Sequence, residues 1–163
     1  MKLLSAHPIY STWKITAALA LGALFLSMAL SAQESPGVPS QDDQIHAVWS
    51  LRFINIAEAY YAKEYGKGFS STLAALGTPP EGTKVSPEAA GLLANSLTGG
   101  RKVNFIFKYK AGARGADGEI STYTVTAQPV KWKEGVNSFL TDQTTVIRWT
   151  DQNRPPRASD PAL

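Results

Sequence analysis

The sequence predicts an α+β fold in which one long N-terminal helix packs on a four-stranded antiparallel sheet. Between about residues 41 and 66, apolar residues recur with the period of an α-helix. After Gly100 the period changes to two, which is typical of strands. A long helix followed by a run of hairpin strands is an α+β architecture.

Composition excludes several classes of protein. The chain has 163 residues, 44% of them hydrophobic and 18% charged, which indicates one folded domain and not a disordered chain. It has no cysteine, so a disulfide framework, a thiolate zinc site and an iron–sulfur cluster are excluded. Removing Lys2 and Lys14 leaves 14 basic against 13 acidic residues from Gln33 onward. A nearly neutral chain gives little reason to expect a nucleic-acid partner.

Residues 1–32 have the pattern of a signal peptide or a membrane anchor. The segment 15–32 is uncharged, follows Lys14 and ends in small residues. Cleavage after Ser31 or Ala32 fits this pattern, and an uncleaved span also fits, since about 20 apolar residues cross a bilayer. We therefore expect a periplasmic or extracellular domain, or one anchored in the inner membrane by residues 15–32 and lying outside the cytoplasm.

Residues 33–41 contain Pro36 and Pro39 and are predicted to form a linker. Ser40 is a candidate N-cap with acidic residues in the following turn, and Gly66 or Gly68 can end the helix in a left-handed conformation. The largest apolar side chains fall within an arc of about 80° at 100° per residue, which predicts the face toward the core. They are Ile45, Trp49, Phe53, Ile56 and Tyr60.

The rest of the predicted globular domain, residues 42–150, follows from turn residues and alternation. Thr72–Leu76 is expected to form one short turn, and Glu88–Leu97, after Pro87, a second short helix. The first predicted hairpin pairs residues 102–110 with 120–129, and the second pairs 138–141 with 145–149 around Asp142. Residues 151–163, with three prolines, are predicted to form an irregular tail.

Several segments resemble the globular part of type IV pilin-like and pseudopilin-like proteins, above all the acidobacterial type. The matching segments, in the family's order, are 50–61 (SLRFINIAEAYY), 65–70 (YGKGFS), 73–77 (LAALG), 123–127 (YTVTA), 138–143 (SFLTDQ) and 146–148 (VIR). The resemblance implies a long helix packed on an antiparallel sheet. It also implies protein partners among pilus or secretion components.

The leader departs from that family. Prepilins carry a GFxxxE motif, whereas Gly22, the only glycine of the leader, is followed by Ala-Leu-Phe-Leu-Ser. In the family the apolar helix continues into the amphipathic one, whereas here Pro36 and Pro39 lie between the two. We therefore expect a pilin-like domain on an ordinary export leader that does not polymerise as a pilin does.

The sequence does not predict an enzyme, a cofactor or a metal site. His46 is the only histidine after the leader and lies among polar residues near the predicted helix start, which favours a solvated or capping role over a catalytic one. Some pseudopilins bind calcium, but Asp142, Asp151 and Asp160 are too scattered to predict such a site.

Three polar residues of the helix are expected to be structural. Asn55 and Glu58 lie three residues apart and can share one face. The resemblance implies that they and Arg52 tie the helix to the sheet or to a loop. The aromatic group at the end of the helix is predicted to fill the edge of the core and not to form a ligand platform. It consists of Tyr60, Tyr61, Tyr65 and Phe69.

A basic outer sheet face is the alternative candidate for function. Strand alternation places Lys102, Lys108 and Lys110 on the face away from the helix, and Lys131, Trp132 and Lys133 extend it. Two hypotheses follow. The first is an exported, non-catalytic domain that acts through protein contacts, as an accessory to a type IV pilus or type II secretion system. The second is a binding module for a polyanion or a glycan on the basic face.

Overall fold

The computed structural model describes residues 37–163 and confirms an α+β architecture with one long helix. The predicted leader, residues 1–32, lies outside the described residues, as do residues 33–36 of the predicted linker. Helix α1 spans Gln41–Tyr65, which is 25 residues. The Ser40 hydroxyl accepts from the Asp43 amide and the Asp43 carboxylate accepts from the Ser40 amide, each at 3.1 Å, so a capping box starts the helix. Gly66, with φ +62°, ends it as predicted.

The sheet has five antiparallel strands in the order of the chain, not the four that the sequence predicts. They are β1 (Arg101–Lys102), β2 (Phe105–Ala111), β3 (Tyr123–Pro129), β4 (Ser138–Asp142) and β5 (Arg148–Thr150). The extra strand arises because Val103 adopts a φ of +48°, which breaks the first predicted strand into β1 and β2. An alternation pattern does not show such a turn, since valine is a good strand residue.

Two other predicted elements are wrong in their extent. The predicted second helix, 88–97, is reduced to α2 (Asn95–Thr98). Residues 90–93 instead donate backbone hydrogen bonds to the carbonyls of Ala75, Leu76 and Gly77, which lie in and just after the 3₁₀ helix Leu73–Leu76. The last predicted strand begins at Arg148 and not at residue 145, because Thr145 has a φ of +62° and belongs to the turn after β4.

The core lies between α1 and one face of the sheet. Helix residues Leu51 and Ile54 are fully buried, as are Phe105 and Val125 on the sheet. The predicted inward alternation is therefore confirmed for β2 and β3, while Val103 is exposed. Around Tyr123, the rings of Phe69 and Tyr109 lie at centroid distances of 4.7 and 5.8 Å. These aromatic contacts join the loop after the helix to strands β2 and β3.

Residues 151–163 contain no helix or strand, as predicted, but they fold back along β5. The amides of Trp149 and Leu163 donate to the carbonyls of Pro161 and Ile147. The Arg154 guanidinium holds both carboxylate oxygens of Asp160, at 2.8 and 2.6 Å. This hydrogen bonding lowers the pKa of Asp160 to about 2.

Candidate functional site

The face of helix α1 that packs on the sheet is opposite to the predicted one. The buried face consists of Ala47, Ser50, Leu51, Ile54, Asn55, Ala57, Glu58 and Tyr61. Its centre lies about 150° around the axis from the five large apolar residues predicted to be core. Those five are exposed, and we call them the apolar stripe: Ile45 48%, Trp49 50%, Phe53 52%, Ile56 53% and Tyr60 60%. The predicted core face is therefore wrong, and for Tyr60 so is the predicted edge role.

Side-chain size explains why the sequence pattern predicted the wrong buried face for α1. Small residues such as Ala47 and Ala57 let the helix approach the sheet closely, while the bulkier set remains outside. One feature of the sequence does indicate that some of these apolar residues lie outside the core, namely the presence of apolar residues on two faces of the helix. A helix that is apolar on two faces needs two sets of partners, and one sheet can supply only one. In the structure, the partners of Asn55 and Glu58 inside the protein show which of the two faces is buried.

Two depressions border the apolar stripe on the side of the turn after β4. The larger, about 490 Å³, lies between the N-terminal half of α1 and the end of the chain. Its apolar lining is Ile45, Val48, Trp49, Phe139 and Leu163. The second, about 380 Å³, is lined by Ile56, Ala59 and Thr145 among others. The stripe is thus a ridge beside a partly apolar groove, and this is the shape that a partner's side chains can fill.

Arg52 does not tie the helix to the sheet. It is exposed and lies beside the stripe, where its guanidinium carbon is 5.0 Å from the centroid of the Trp49 ring. Arg52 also lines both depressions. A cation stacked on the indole keeps the Trp49 ring in a defined orientation on the surface.

Glu58 is fully buried and bonded to a loop. Its Oε2 accepts from the Ser70 amide at 2.8 Å, and its Oε1 lies 2.5 Å from the Ser70 hydroxyl. That hydroxyl also lies 2.9 Å from the Thr72 carbonyl, and it has one proton. Both contacts are satisfied together when Glu58 is protonated and donates to Ser70. Burial accordingly raises the pKa of Glu58, although hydrogen bonds from Ser70 act in the opposite direction.

Asn55 is buried between two strands and a turn. Its Nδ2 donates to Thr141 Oγ1 at 2.9 Å and to the Thr145 carbonyl at 3.3 Å, and its Oδ1 accepts from the Tyr123 hydroxyl at 2.9 Å. One side chain therefore joins α1 to β3, to β4 and to the turn that follows β4. Together Asn55 and Glu58 fix the rotation of the helix about its axis.

The six residues of the predicted basic face do not form one patch. Lys108 and Lys110 are exposed on β2, opposite Thr126 and Thr124 of β3. Lys102 pairs with Phe105 at the other end of β2. The segment Lys131–Lys133, with Trp132, follows the end of β3 that pairs with Phe105. The strand register thus places the five lysines at two ends of the sheet.

Charge on the outer face is also mixed. Thr124 pairs with both Lys110 and Asp142, so a carboxylate lies in the same cross-strand row as Lys110. Neighbouring strands are about 4.8 Å apart, which places the two charged residues roughly 10 Å from each other.

The residues that were considered for catalysis or metal binding, and not predicted to serve either, are dispersed. His46 is exposed near the start of α1, and Asp160 is held by Arg154. Among residues 37–163, no three acidic, histidine or cysteine side chains are grouped so that they could hold a metal ion. Within the same range, every buried side-chain nitrogen or oxygen has a hydrogen-bond partner.

No protein family, no curated protein and no solved structure matches this chain. Between Gly37 and Leu163, no helix combines the length and the apolar character required to cross a membrane. Among the described residues, five of the eleven exposed large apolar side chains lie in the apolar stripe.

Proposed function

We propose that this chain is an exported, non-catalytic, pilin-like domain that acts by binding another protein through the apolar stripe of α1. The observation that carries the proposal is the exposure of five large apolar side chains in one arc of the helix. Scattered apolar residues on a surface are normal, whereas a contiguous apolar patch indicates a site of association.

The stripe is held rigidly, which suits recognition. From Ile45 to Tyr60 it extends about 22 Å along the helix at 1.5 Å per residue. Asn55 and Glu58 are bonded on the opposite side of the same turns, so their contacts prevent the helix from rolling the stripe inward. A surface that is ordered before binding loses less entropy when a partner docks.

Resemblance supports the pilin-like part of the proposal. The segments resembling pilin-like proteins include the middle of α1 and the β4–β5 hairpin, which lie on the two layers of the fold. An accessory role in a type IV pilus or type II secretion system is the function that this resemblance favours. Export is proposed from the leader, and its departure from the GFxxxE motif favours an accessory over a filament subunit.

The buried polar side chains of α1 have structural roles. Both oxygens of Glu58 are engaged by Ser70, and the amide of Asn55 is shared among Tyr123, Thr141 and Thr145. These groups lie inside the protein and hold elements together. We therefore place the function on the outer surface of α1.

One observation favours the second candidate, a polyanion or glycan site. Lys110 lies beside a depression of about 300 Å³ that also has Thr122 and Thr124 in its lining, a basic and hydroxyl-rich setting. Asp142 in the same row and the separation of the other lysines weaken this candidate relative to the stripe.

Site-specific photocrosslinking in cells that produce the full chain separates the two. A photoreactive residue replaces Phe53 in the stripe or, as the matched control, Lys108 on the sheet. We expect a covalent protein adduct from position 53 and none from position 108. An adduct only from position 108, or polyanion binding that collapses between about 50 and 200 mM salt, would overturn the proposal.

A further inference from the structure

The order of residues along α1 points to one partner. We infer that the apolar stripe binds the stripe of a second copy of this chain, with the two helices antiparallel. This inference rests on the proposed function, since it names the protein that the stripe contacts. The arrangement of apolar and charged residues along the exposed face supports it.

The exposed face matches itself when it is reversed. If a two-fold axis passes between residues 52 and 53, Ile45 of one copy lies level with Tyr60 of the other, and Trp49 lies level with Ile56. The two Phe53 side chains lie on the same side of the plane that contains both helix axes, at levels about 1.5 Å apart. Every member of the stripe thus meets an apolar residue. Such self-matching is what a two-fold interface requires.

Charge at the ends of the stripe favours the antiparallel direction. At 100° per residue, Asp42 and Lys63 fall within the arc of the stripe, before and after it. Both are exposed. In the antiparallel register Asp42 lies level with Lys63 of the second copy, whereas a parallel pair would place Asp42 near Asp42 and Lys63 near Lys63. Exposed ion pairs add little affinity, but like charges at both ends oppose the wrong direction.

The exposed area is that of a reversible dimer. An aromatic side chain offers about 150–250 Å², so three half-exposed aromatics and two half-exposed isoleucines leave roughly 400 Å² of apolar surface. Two such stripes bury about 800 Å², and Arg52 with the groove beside it adds area toward the lower limit of about 1,200 Å² for stable interfaces. We therefore expect the dimer to form reversibly and to dissociate on dilution.

Introduced cysteines test the pairing with the stripe intact. Because the natural chain has no cysteine, every disulfide reports an introduced pair. Chains carrying Asp42→Cys or Lys63→Cys, alone or produced together with different tags, are oxidised in cells that make the full protein. We expect a disulfide dimer only when both variants are present. The control Lys108→Cys should form none. Ile56→Lys in both chains should reduce the dimer at least about tenfold.

The outcomes separate this inference from the proposed function. A disulfide dimer from Asp42→Cys alone would show a parallel pair and overturn the antiparallel arrangement. If the mixed cysteine chains stay monomeric while the photoreactive residue at position 53 captures a different protein, the inference of a second copy is overturned. The proposed function, binding of another protein through the stripe, then stands. If position 53 captures only residues 15–32 of its own chain, both fail.

Discussion

Glu58 and Asn55 are the two side chains that decide how α1 lies on the sheet. Each is buried and each is shared between the helix and a segment distant in sequence: Ser70 for Glu58, and Tyr123 with Thr141 for Asn55. That they share a helix face follows from their spacing. Their hydrogen-bond partners do not follow from the sequence, because nothing in the residues around Ser70 or Thr141 indicates which carboxyl or amide group each of them will contact.

Replacing Glu58 by glutamine is expected to remove a pH dependence of stability. Burial raises the pKa of Glu58 above its ordinary 4.5. Well below pH 4.5 the carboxyl is neutral in both the folded and the unfolded chain, so its contribution to stability is complete. As the pH rises, the unfolded chain ionises first, and stability falls until the pKa of the folded protein is passed. Each unit of elevation corresponds to about 1.4 kcal/mol.

Urea unfolding at pH 4, 5.5 and 7 measures this effect. The free energy of unfolding of the natural protein should decline relative to that of Glu58→Gln across this series. Glu64→Gln, at an exposed position of the same helix, is the matched control and should follow the natural protein. A difference that stays constant or grows with pH would show that Glu58 is buried as a carboxylate.

The ends of helix α1 are easier to predict from the neighbouring residues than are the contacts between helices and strands. Ser40 with Asp43 and Gly66 fix both ends of α1, because caps act through the adjacent backbone. The strand breaks at Val103 and Thr145 are not predictable in this way, since both residues adopt a positive φ that their types disfavour. The segment 88–94 forms no helix because its backbone bonds to residues 75–77 instead.

Helical periodicity alone did not predict which face of α1 is buried. Two sets of residues with helical spacing exist on this helix, and hydrophobicity ranks the outer set higher. Packing selects the set with small residues and with Asn55 and Glu58, since these have partners inside the protein. Apolar residues on both faces of a helix therefore predict a second partner, not one thick core.

Two glycines after α1 provide a matched pair. Gly66→Ala should cost about 1–2 kcal/mol, because only the left-handed backbone opposes alanine and no atom lies within 4 Å of the added Cβ. Gly68→Ala should cost about 3 kcal/mol or more, since its Cβ would lie 2.2 Å from the Ile120 carbonyl oxygen. Thermal and urea unfolding of both variants measure the difference. Equal losses would show that the contact between residues 68 and 120 yields easily.

In the described part of the chain, the sheet is a meander whose last strand is bordered by residues 151–163. The tail's irregularity follows from its prolines, but its return along β5 depends on Arg154 and Asp160, whose pairing no local pattern shows. The carboxylate of Asp160 also accepts from the Arg157 amide at 2.7 Å. One carboxyl group thus holds the bend of residues 154–160.

Replacing Asp160 by asparagine should loosen this bend and expose the bond after Arg157 to trypsin. The amide cannot hold the guanidinium through two charged oxygens, so the segment should open more often. Limited digestion followed by mass spectrometry of the C-terminal fragment gives the cleavage rate. We expect an increase of at least about fivefold, whereas Asp151→Asn, at an exposed position, should leave the rate unchanged. Equal rates in both variants would show that other contacts hold the tail.

At the scale of the molecule, α1 is attached to the sheet by a face of small and polar residues and presents its largest apolar side chains outward. Ile54 and Ile56 test this most directly, because they are the same residue type in the same helix, with exposed fractions of 0% and 53%. The measurement is the free energy of unfolding of Ile54→Ala and Ile56→Ala in dilute solution. We predict a loss of about 2–5 kcal/mol for Ile54→Ala and less than about 1 kcal/mol for Ile56→Ala. The reverse order would show that the stripe is the core face, and the proposed binding surface would not exist.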